Sequence, residues 1–211
     1  AVALLSVASI TVANLMAVLQ GDMKRFMAFS SISQAGYILL GVLAGTAQGM
    51  ASLVFYVAVY VVANVAVFAV ISTVEQHAGG QTGRDAYCGL YRTNPRLTLV
   101  LTLALFSLGG IPPFAGFFSK FFIFAAAFAQ GWWLVVFLAL VNTIVSLFYY
   151  LLVVKAMYIS EPLTEDGLPA VAPLRSHPGV RLTLALCTAG ICLLGVASFV
   201  YEGLARWAGM M

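Results

Sequence analysis

The chain has 211 residues, of which 63% are hydrophobic and 8% are charged, with a formal net charge of +3. Globular proteins carry about 25% charged residues, so this composition, with a mean hydropathy of +1.03, indicates an integral membrane protein. The ten basic residues are scattered along the chain and form no basic stripe, which excludes nucleic-acid binding.

Apolar runs of roughly 20 residues predict transmembrane helices, and we expect one all-α membrane domain over 1–211. The predicted spans cover about 1–19, 23–44, 50–74, 97–128, 132–158 and 180–205. Asp22 is placed to cap the second span, and the polar segments Glu75–Arg96 and Glu161–Pro178 are predicted to be the long loops. Because the chain begins inside an apolar run without a methionine, we expect it to be the C-terminal part of a longer protein.

Polar side chains recur at helical spacing in the second and third spans. In the second span they are Ser30, Ser33 and Gln34, at positions i, i+3 and i+4 of one helix face. In the third span they are Tyr56, Tyr60 and Asn64, which recur every fourth residue. Such groups often only bind neighbouring helices, but a row of them can also order water along an ion path.

The fourth span, Leu97–Phe128, is predicted to be discontinuous. It contains Gly109, Gly110, Pro112 and Pro113, and we expect the break near 108–113. Proline lacks an N–H and clashes with the carbonyl four residues earlier, so the carbonyls of Leu108 and Gly109 lose their helical partners. Irregular backbone at membrane depth is tolerated only inside protein or beside a water-filled cavity.

Lys120 lies two turns beyond this break, inside the second half of the span. An ammonium near the bilayer centre costs roughly 2.5–3.5 kcal/mol on insertion scales, and such residues often mark an ion or proton path. The alternative is a lysine that snorkels to the membrane edge, which the depth of Lys120 disfavours. A discontinuous helix that carries a buried lysine is typical of a transporter. We therefore expect Lys120 to point inward, toward Ser33, Gln34 and Tyr60.

Basic residues give the predicted orientation. They flank the first, third and fifth connections and are Lys24, Arg25, Arg84, Arg92, Arg96, Lys155, Arg175 and Arg181. By the positive-inside rule these connections face the cytoplasm or the mitochondrial matrix. Lys24 is then an interfacial anchor or part of a proton path. For Lys155 the anchor and proton-entry roles stay equally open, and Tyr149 and Tyr150 are interpreted as packing or interface residues.

The sequence contains no pattern that indicates a metal site or a nucleotide-binding site. The three cysteines have no metal-ligand spacing, and His77 and His177 fall in the predicted loops without acidic neighbours at ligand spacing. The chain has no phosphate-binding loop, no dinucleotide fingerprint and no nucleophile elbow. We therefore predict no catalytic residue, no metal site and no cofactor in this chain.

Three segments resemble the antiporter-like membrane subunits of respiratory complex I, and within them the subunit N group, called subunit 2 in mitochondria. The segments read DMKRFMAFSSISQAGYILLG, YVAVYVVANVAVFAV and SLGGIPPFAGFFSKFFIF. The pair Tyr60 and Asn64, where sister subunits tend to carry a histidine, is what favours the subunit N group. The resemblance implies a fourteen-helix fold with two inverted five-helix repeats, each with one broken helix, of which this chain would hold the last six helices.

The resemblance also implies roles for two residues. Lys120 is similar to the lysine of the second broken helix, which the family uses in the outlet half-channel. Gln34 stands where many relatives have a histidine, so direct protonation at this position is in doubt, although a glutamine can still hold a water wire. Because the first repeat would lie outside this chain, we expect the chain alone not to translocate protons.

The implied function is a proton-translocating subunit of an NADH:quinone oxidoreductase, without redox chemistry of its own. NAD, FMN, iron–sulfur clusters and quinone would then belong to other subunits. The expected partners are other membrane subunits and the lipid bilayer, with no nucleic acid, in the bacterial inner membrane or the mitochondrial inner membrane. Two alternatives stay open, a subunit of a Mrp-type sodium/proton antiporter and a structural membrane scaffold whose lysine has no function.

Overall fold

The computed structural model describes residues 1–159, 172–173, 177–196 and 199–209. In these ranges the regular secondary structure is helical, as predicted. The helices are α1 Val2–Val18, α2 Met23–Ala44, α3 Ala47–His77, α4 Leu90–Thr93, α5 Pro95–Gly109, α6 Ala115–Ala129, α7 Trp133–Tyr158, α8 Pro178–Val196 and α9 Phe199–Gly209, with a short 3₁₀ helix at Arg84–Tyr87.

Four of these helices, α2, α3, α7 and α8, are long and apolar enough to cross a membrane. The helices α1, α5 and α6 are apolar but shorter, with 17, 15 and 15 residues. At 1.5 Å per residue, α5 and α6 are each about 22 Å long, so they are the two halves of the predicted fourth span. The number of spans stays a prediction.

Local chemistry explains where the helices begin and end. Asp22 caps α2 as predicted, because its Oδ1 accepts the backbone N–H of Arg25 at 2.8 Å. Thr46 does the same for α3 by accepting the N–H of Gly49 at 3.0 Å. α5 begins at Pro95, whose missing N–H needs no partner in a first turn.

The third and sixth predicted spans differ most from the structure. The third helix begins at Ala47, because Thr46 caps it, and it continues past Val74 to His77. His77 is therefore a residue of the last helical turn, where its Nδ1 lies 2.8 Å from the carbonyl of Thr73. The predicted sixth span corresponds to α8 and α9, and residues 197–198 between them lie outside the described part.

The turn between α1 and α2 is bound to the first long loop. Asp22 and Gly83 form an isolated antiparallel bridge, in which Met23 N donates to Thr82 O and Arg84 N donates to Gly21 O, each at 2.8 Å. Lys24 Nζ also lies 2.6 Å from Glu75 Oε1. We call the group formed by Asp22, Lys24, Glu75, Thr82 and Arg84 the loop junction.

The predicted loops meet at one end of the bundle. Gly89 N donates to Ala156 O at 3.1 Å, which brings the first long loop to the end of α7. Asn94 Nδ2 donates to Ala172 O at 3.0 Å. The first, third and fifth connections therefore share this end, which we call the loop end. Most of the second predicted loop, Glu161–Pro178, lies outside the described residues.

Helix α3 is the central element, since it packs against α2, α5, α6, α8 and α9. Helix α1 packs against α2 and α7, and Gly36 makes the α1–α2 approach possible. A Cβ at Gly36 would lie 2.6 Å from Cγ1 of Ile10, and the carbonyl of Gly36 accepts the hydroxyl of Ser6 at 2.7 Å. The half-helices α5 and α6 both pack against α3, α7 and α8, and α6 also packs against α2.

Candidate functional site

The interruption lies between Gly109 and Ala115. Gly110 ends α5 with φ at +82°, a left-handed conformation that glycine adopts without strain. Its N–H donates a hydrogen bond to Phe106 O at 3.0 Å. Leu108 O accepts Gln34 Nε2 at 3.3 Å, and Gly109 O accepts Lys120 Nζ at 3.3 Å. Two side chains thus supply donors to the two carbonyls that the sequence leaves without helical partners.

Gly116 allows the two half-helices to touch. A Cβ at Gly116 would lie 1.6 Å from the carbonyl oxygen of Ser107, so any other residue forces the half-helices apart. In the native chain Gly116 N donates to Ser107 Oγ at 3.1 Å. On the other side, a Cβ at Gly195 of α8 would meet Pro113 O at 2.4 Å. Neighbouring backbone thus covers the two flanks of the irregular segment, at Gly116 and at the carbonyl of Pro113, whereas Pro112 and Pro113 themselves are exposed on the surface of this chain.

Lys120 is buried at this break, with 4% of its surface exposed. Its Nζ donates to Gly109 O at 3.3 Å and lies 4.9 Å from the centre of the Tyr37 ring. A cation over an aromatic face is favourable, more so when it is desolvated. No carboxylate pairs with Lys120 in the described part of the chain, where the salt bridge found is Lys24–Glu75. The carbonyl of Gly109 and the ring of Tyr37 therefore solvate the ammonium, but neither neutralises its charge.

Gln34 connects four helices through hydrogen bonds. Its Oε1 accepts the hydroxyl of Tyr56 at 2.5 Å, and its Nε2 donates to Tyr150 Oη at 3.2 Å as well as to Leu108 O. Tyr150 Oη lies in turn 2.5 Å from Ser30 Oγ. This glutamine network joins α2, α3, α5 and α7 and leaves neither end of the Gln34 amide without a partner.

A small cavity of about 10 Å³ separates Lys120 from the glutamine network. This is close to the smallest space that holds one water, and a water needs two to four polar partners. The polar side chains on its wall are Gln34, Tyr56, Tyr60, Ser107, Ser119 and Lys120. One water here would have donors and acceptors on several sides. We call Lys120, this cavity and the glutamine network the lysine centre.

Some of the predicted site residues come together here and others do not. Lys120, Gln34 and Tyr60 line the same cavity, whereas Ser33 and Asn64 do not. Ser33 is fully buried, and its hydroxyl has no hydrogen-bond partner in the described residues. The buried Oδ1 of Asn64 likewise lacks a hydrogen-bond donor there. The expected contact of Lys120 with Ser33 is therefore absent from the cavity.

Lys24 and Lys155 lie away from the lysine centre. The side chain of Lys24 is half exposed and paired with Glu75 at the loop junction. Lys155 lies in the last turn of α7 and is exposed. Both lie near a helix end at the loop end of the bundle, where water or a carboxylate can solvate their charge. This placement favours the anchor interpretation for both residues.

Sequence reasoning missed several groups of the lysine centre. Tyr150, interpreted as a packing residue, is a hydrogen-bond partner of both Gln34 and Ser30. The ring of Tyr37 and the hydroxyls of Ser107 and Ser119 were not singled out either. Their signal was present, since the serines flank the glycine–proline break and Tyr37 lies three residues after Gln34.

A second buried polar group joins α1 to α7. Asn14 Nδ2 donates to Asn142 O at 3.1 Å, and Asn14 Oδ1 accepts the hydroxyl of Tyr149 at 2.9 Å. The rings of Tyr149 and Tyr150 are 4.6 Å apart, so this group continues from the glutamine network. Asn14 and Asn142 are single polar residues in apolar spans, so the sequence offered no periodic pattern from which this polar group could be predicted.

A protein-family model described as "NADH:quinone oxidoreductase/Mrp antiporter, TM" matches residues 1–146. The chain is 62% identical to NADH-quinone oxidoreductase subunit N of Phocaeicola vulgatus, over 93% of the chain and 40% of that protein. It is 52% identical to the subunit N of Azobacteroides pseudotrichonymphae, over 94% of the chain and 40% of that protein. The chain thus spans about 40% of the length of these relatives.

Solved structures show the same fold. A chain of respiratory complex I from Thermus thermophilus, with bound aureothin, is 33% identical, with a TM-score of 0.77, over 96% of this chain and 45% of that one. A chain of the Mrp complex from Dietzia sp. matches with a TM-score of 0.86 over 98% of this chain and 46% of that one. Its identity is 23%, so that likeness shows the fold alone.

Proposed function

Because the chain belongs to the NADH:quinone oxidoreductase/Mrp antiporter membrane family, we propose that it is part of a proton-translocating subunit, of the subunit N type, in an NADH:quinone oxidoreductase. In this proposal the chain contributes the second half-channel. Electron transfer, with NAD, FMN, iron–sulfur clusters and quinone, belongs to other subunits. Its partners are other membrane subunits and the lipid of a bacterial inner membrane.

The observation that carries the proposal is the burial of Lys120 at the helix break without a carboxylate partner among the described residues. A buried ammonium is unfavourable unless polar groups solvate it. At the lysine centre these groups are Gly109 O, the Tyr37 ring and the wall of the cavity. Because none of them carries a full negative charge, they do not hold the proton on the lysine permanently. Lys120 can therefore take up and release a proton.

Gln34 has a positioning role in this scheme, since an amide does not titrate. It accepts from Tyr56 and donates to Tyr150, which fixes the direction of both hydroxyls. A water in the cavity can then link Lys120 Nζ to the hydroxyls of Tyr56 or Tyr60. The proton would leave or reach the lysine through such a water rather than through the glutamine side chain.

The test is Lys120→Met in the full-length subunit within the complete enzyme. We expect assembly and electron transfer to remain and the number of protons pumped per electron pair to fall. Lys120→Arg keeps a cation beside Gly109 O, yet it should also lower pumping, because arginine does not release its proton. Arg25→Gln, which removes an exposed cation of the same helix bundle, is the control and should pump as the native enzyme does.

Pumping by Lys120→Met at the native proton-to-electron ratio would contradict the proposal and leave Lys120 a structural residue. If Lys120→Met does not assemble, the ratio measured with Lys120→Arg decides instead, and a native ratio again contradicts proton release by this residue. The same assay in sodium-free medium separates the proposal from the antiporter alternative. A strict requirement for sodium would favour a Mrp-type exchange, whereas unchanged pumping supports proton translocation.

A further inference from the structure

A second polar region lies at the loop end of the bundle, where α5 and α8 both begin. A cavity of about 490 Å³ lies between the first turns of these helices. Arg96 and Arg181, one from each first turn, line it. Residues one turn further into the two helices, Val100 and Leu184, line it with apolar side chains. The cavity therefore combines two cations with an apolar wall that continues toward the membrane interior.

The two arginines are not compensated within the described part of the chain. Both are exposed, and neither side chain forms an ion pair or a hydrogen bond with the described residues. Lys24, at the start of α2, differs because Glu75 pairs with it at 2.6 Å. The first turns of α5 and α8 contain no acidic residue. Two guanidinium groups thus line one cavity, and no acidic residue of the described ranges lines it with them.

The position of these arginines also opposes the helix dipoles. The N-terminus of a helix carries a partial positive charge, so a cation in the first turn is unfavourable and an anion is favourable. Arg96 and Arg181 each lie in such a first turn. A bound anion would offset both helix termini and both guanidinium groups at once, and arginine binds phosphate oxygens in a two-pronged geometry.

We propose that this cavity binds the headgroup of an anionic glycerophospholipid. The phosphate lies between Arg96 and Arg181, and an acyl chain lies along Val100 and Leu184. Charge complementarity with an apolar wall favours a lipid over a free anion, which would leave Val100 and Leu184 uncovered. The positive-inside face of a membrane protein also meets a leaflet of negative surface potential. This site is separate from the lysine centre and does not depend on proton transfer.

The experiment measures lipid retained by the full-length subunit in the purified complex. Native mass spectrometry counts bound phosphatidylglycerol after titration, with phosphatidylcholine as the neutral comparison. The variant is Arg96→Gln with Arg181→Gln. The control is Arg92→Gln, which removes an exposed arginine of α4 that does not line the cavity. We expect the double variant to bind phosphatidylglycerol about 30-fold more weakly, since each basic residue near a membrane surface contributes roughly fivefold, and the control to bind it as the native protein does.

Several outcomes would overturn the proposal. Equal retention in all three proteins would mean that the lipid is annular only, and equal retention of phosphatidylcholine would remove the requirement for negative charge. Displacement by excess inorganic phosphate would indicate a site for a free anion. Loss of a neighbouring subunit from the double variant, with its lipid unchanged, would show that a protein occupies the cavity. If the double variant does not assemble, each single variant should show about a fivefold loss, and no loss in either would contradict the proposal.

Discussion

The charged groups of the lysine centre and of the loop junction differ in both their exposure and their pairing. At the loop junction the side chain of Lys24 is 50% exposed and pairs with Glu75 at 2.6 Å, and Asp22 accepts hydrogen bonds from Thr82 and from a backbone N–H. At the lysine centre the whole of Lys120 is only 4% exposed, and no carboxylate of the described chain pairs with it. The ammonium of Lys120, whose burial makes its charge the less favourable of the two, is therefore the one without a counter-ion among the described residues.

This difference separates a structural role from a functional one. An exposed ion pair contributes little stability, so the loop junction holds the loops together through several weak contacts. A buried cation that nothing neutralises is unfavourable for folding. Its surroundings instead suit a group that changes charge. Substitutions in the two regions should therefore have effects of different size, larger at the lysine centre than at the loop junction.

The largest expected effect comes from Gly116→Ala, which removes the close crossing of the half-helices. The new Cβ would lie 1.6 Å from Ser107 O, so α5 and α6 must separate and the lysine centre loses its walls. We expect a loss of about 3 kcal/mol or more in the free energy of unfolding, seen as a strong fall in the amount of assembled complex.

The control for this change is Gly203→Ala, because no atom lies within 4 Å of a Cβ at that position of α9. It should leave the amount of assembled complex as in the native strain. Normal assembly of Gly116→Ala would show that the break tolerates a wider crossing and that the enclosure of the lysine centre is less strict than the structure indicates.

A smaller effect is expected from Tyr56→Phe. This change removes the donor that lies 2.5 Å from Gln34 Oε1 and leaves a buried carbonyl oxygen unpaired. An unsatisfied buried acceptor costs about 1–3 kcal/mol, so the free energy of unfolding of the full-length protein in mixed micelles should fall by that amount.

Tyr60→Phe is the matched control for stability, since Tyr60 lines the same cavity without a hydrogen bond to a described residue. It should change the free energy of unfolding by less than about 0.5 kcal/mol. A double-mutant cycle that pairs Tyr56→Phe with Gln34→Leu should give a coupling energy above about 0.5 kcal/mol. Strict additivity would contradict the glutamine network.

The smallest effect is expected at the loop junction, from Asp22→Ala. Partial burial alone would raise the pKa of Asp22, but hydrogen bonds from Thr82 and from the backbone N–H groups of Arg25 and Lys24 lower its pKa below the ordinary value of 3.8. The carboxylate therefore stabilises the fold fully above that pH, and this stabilisation is lost as the pH falls below it, through the lowered pKa.

At pH 7 the loss of this helix cap should lower the free energy of unfolding by about 1 kcal/mol. Unfolding curves of the native protein and Asp22→Ala should converge as the pH falls below about 4. Asp85→Ala, which removes an exposed carboxylate of the same loop, should change stability at pH 7 by less than about 0.5 kcal/mol. A native and a variant curve that stay equally far apart in acid would contradict the role of the Asp22 carboxylate.

Local chemistry made several features predictable. The position of the helix interruption follows from Gly109 to Pro113, because proline and glycine act on their own backbone whatever surrounds them. The Asp22 cap likewise depends on residues three apart in the chain. The inward position of Lys120 follows from depth alone, since a lipid-facing ammonium beside the break would be too unfavourable.

The partners of the lysine centre could not be predicted in the same way. Tyr150, Tyr37 and Ser107 come from separate segments of the chain. Helical spacing places Ser30, Ser33 and Gln34 on one face of the second span, but it does not show which of these residues meets a partner on a neighbouring helix. The sequence therefore could not distinguish Ser33, which has no described partner, from Ser30, which binds Tyr150.

The sequence by itself determined a helical membrane chain, a broken fourth span and a lysine that must face protein. Those properties depend on hydropathy and on backbone chemistry within a few residues. Only the tertiary structure decided that Gln34 binds a freed carbonyl, that Gly116 closes the crossing and that Lys24 pairs with Glu75. Each of these depends on the rotation of one helix against another. That rotation is set by the fit of side chains between helices, which no single helix encodes.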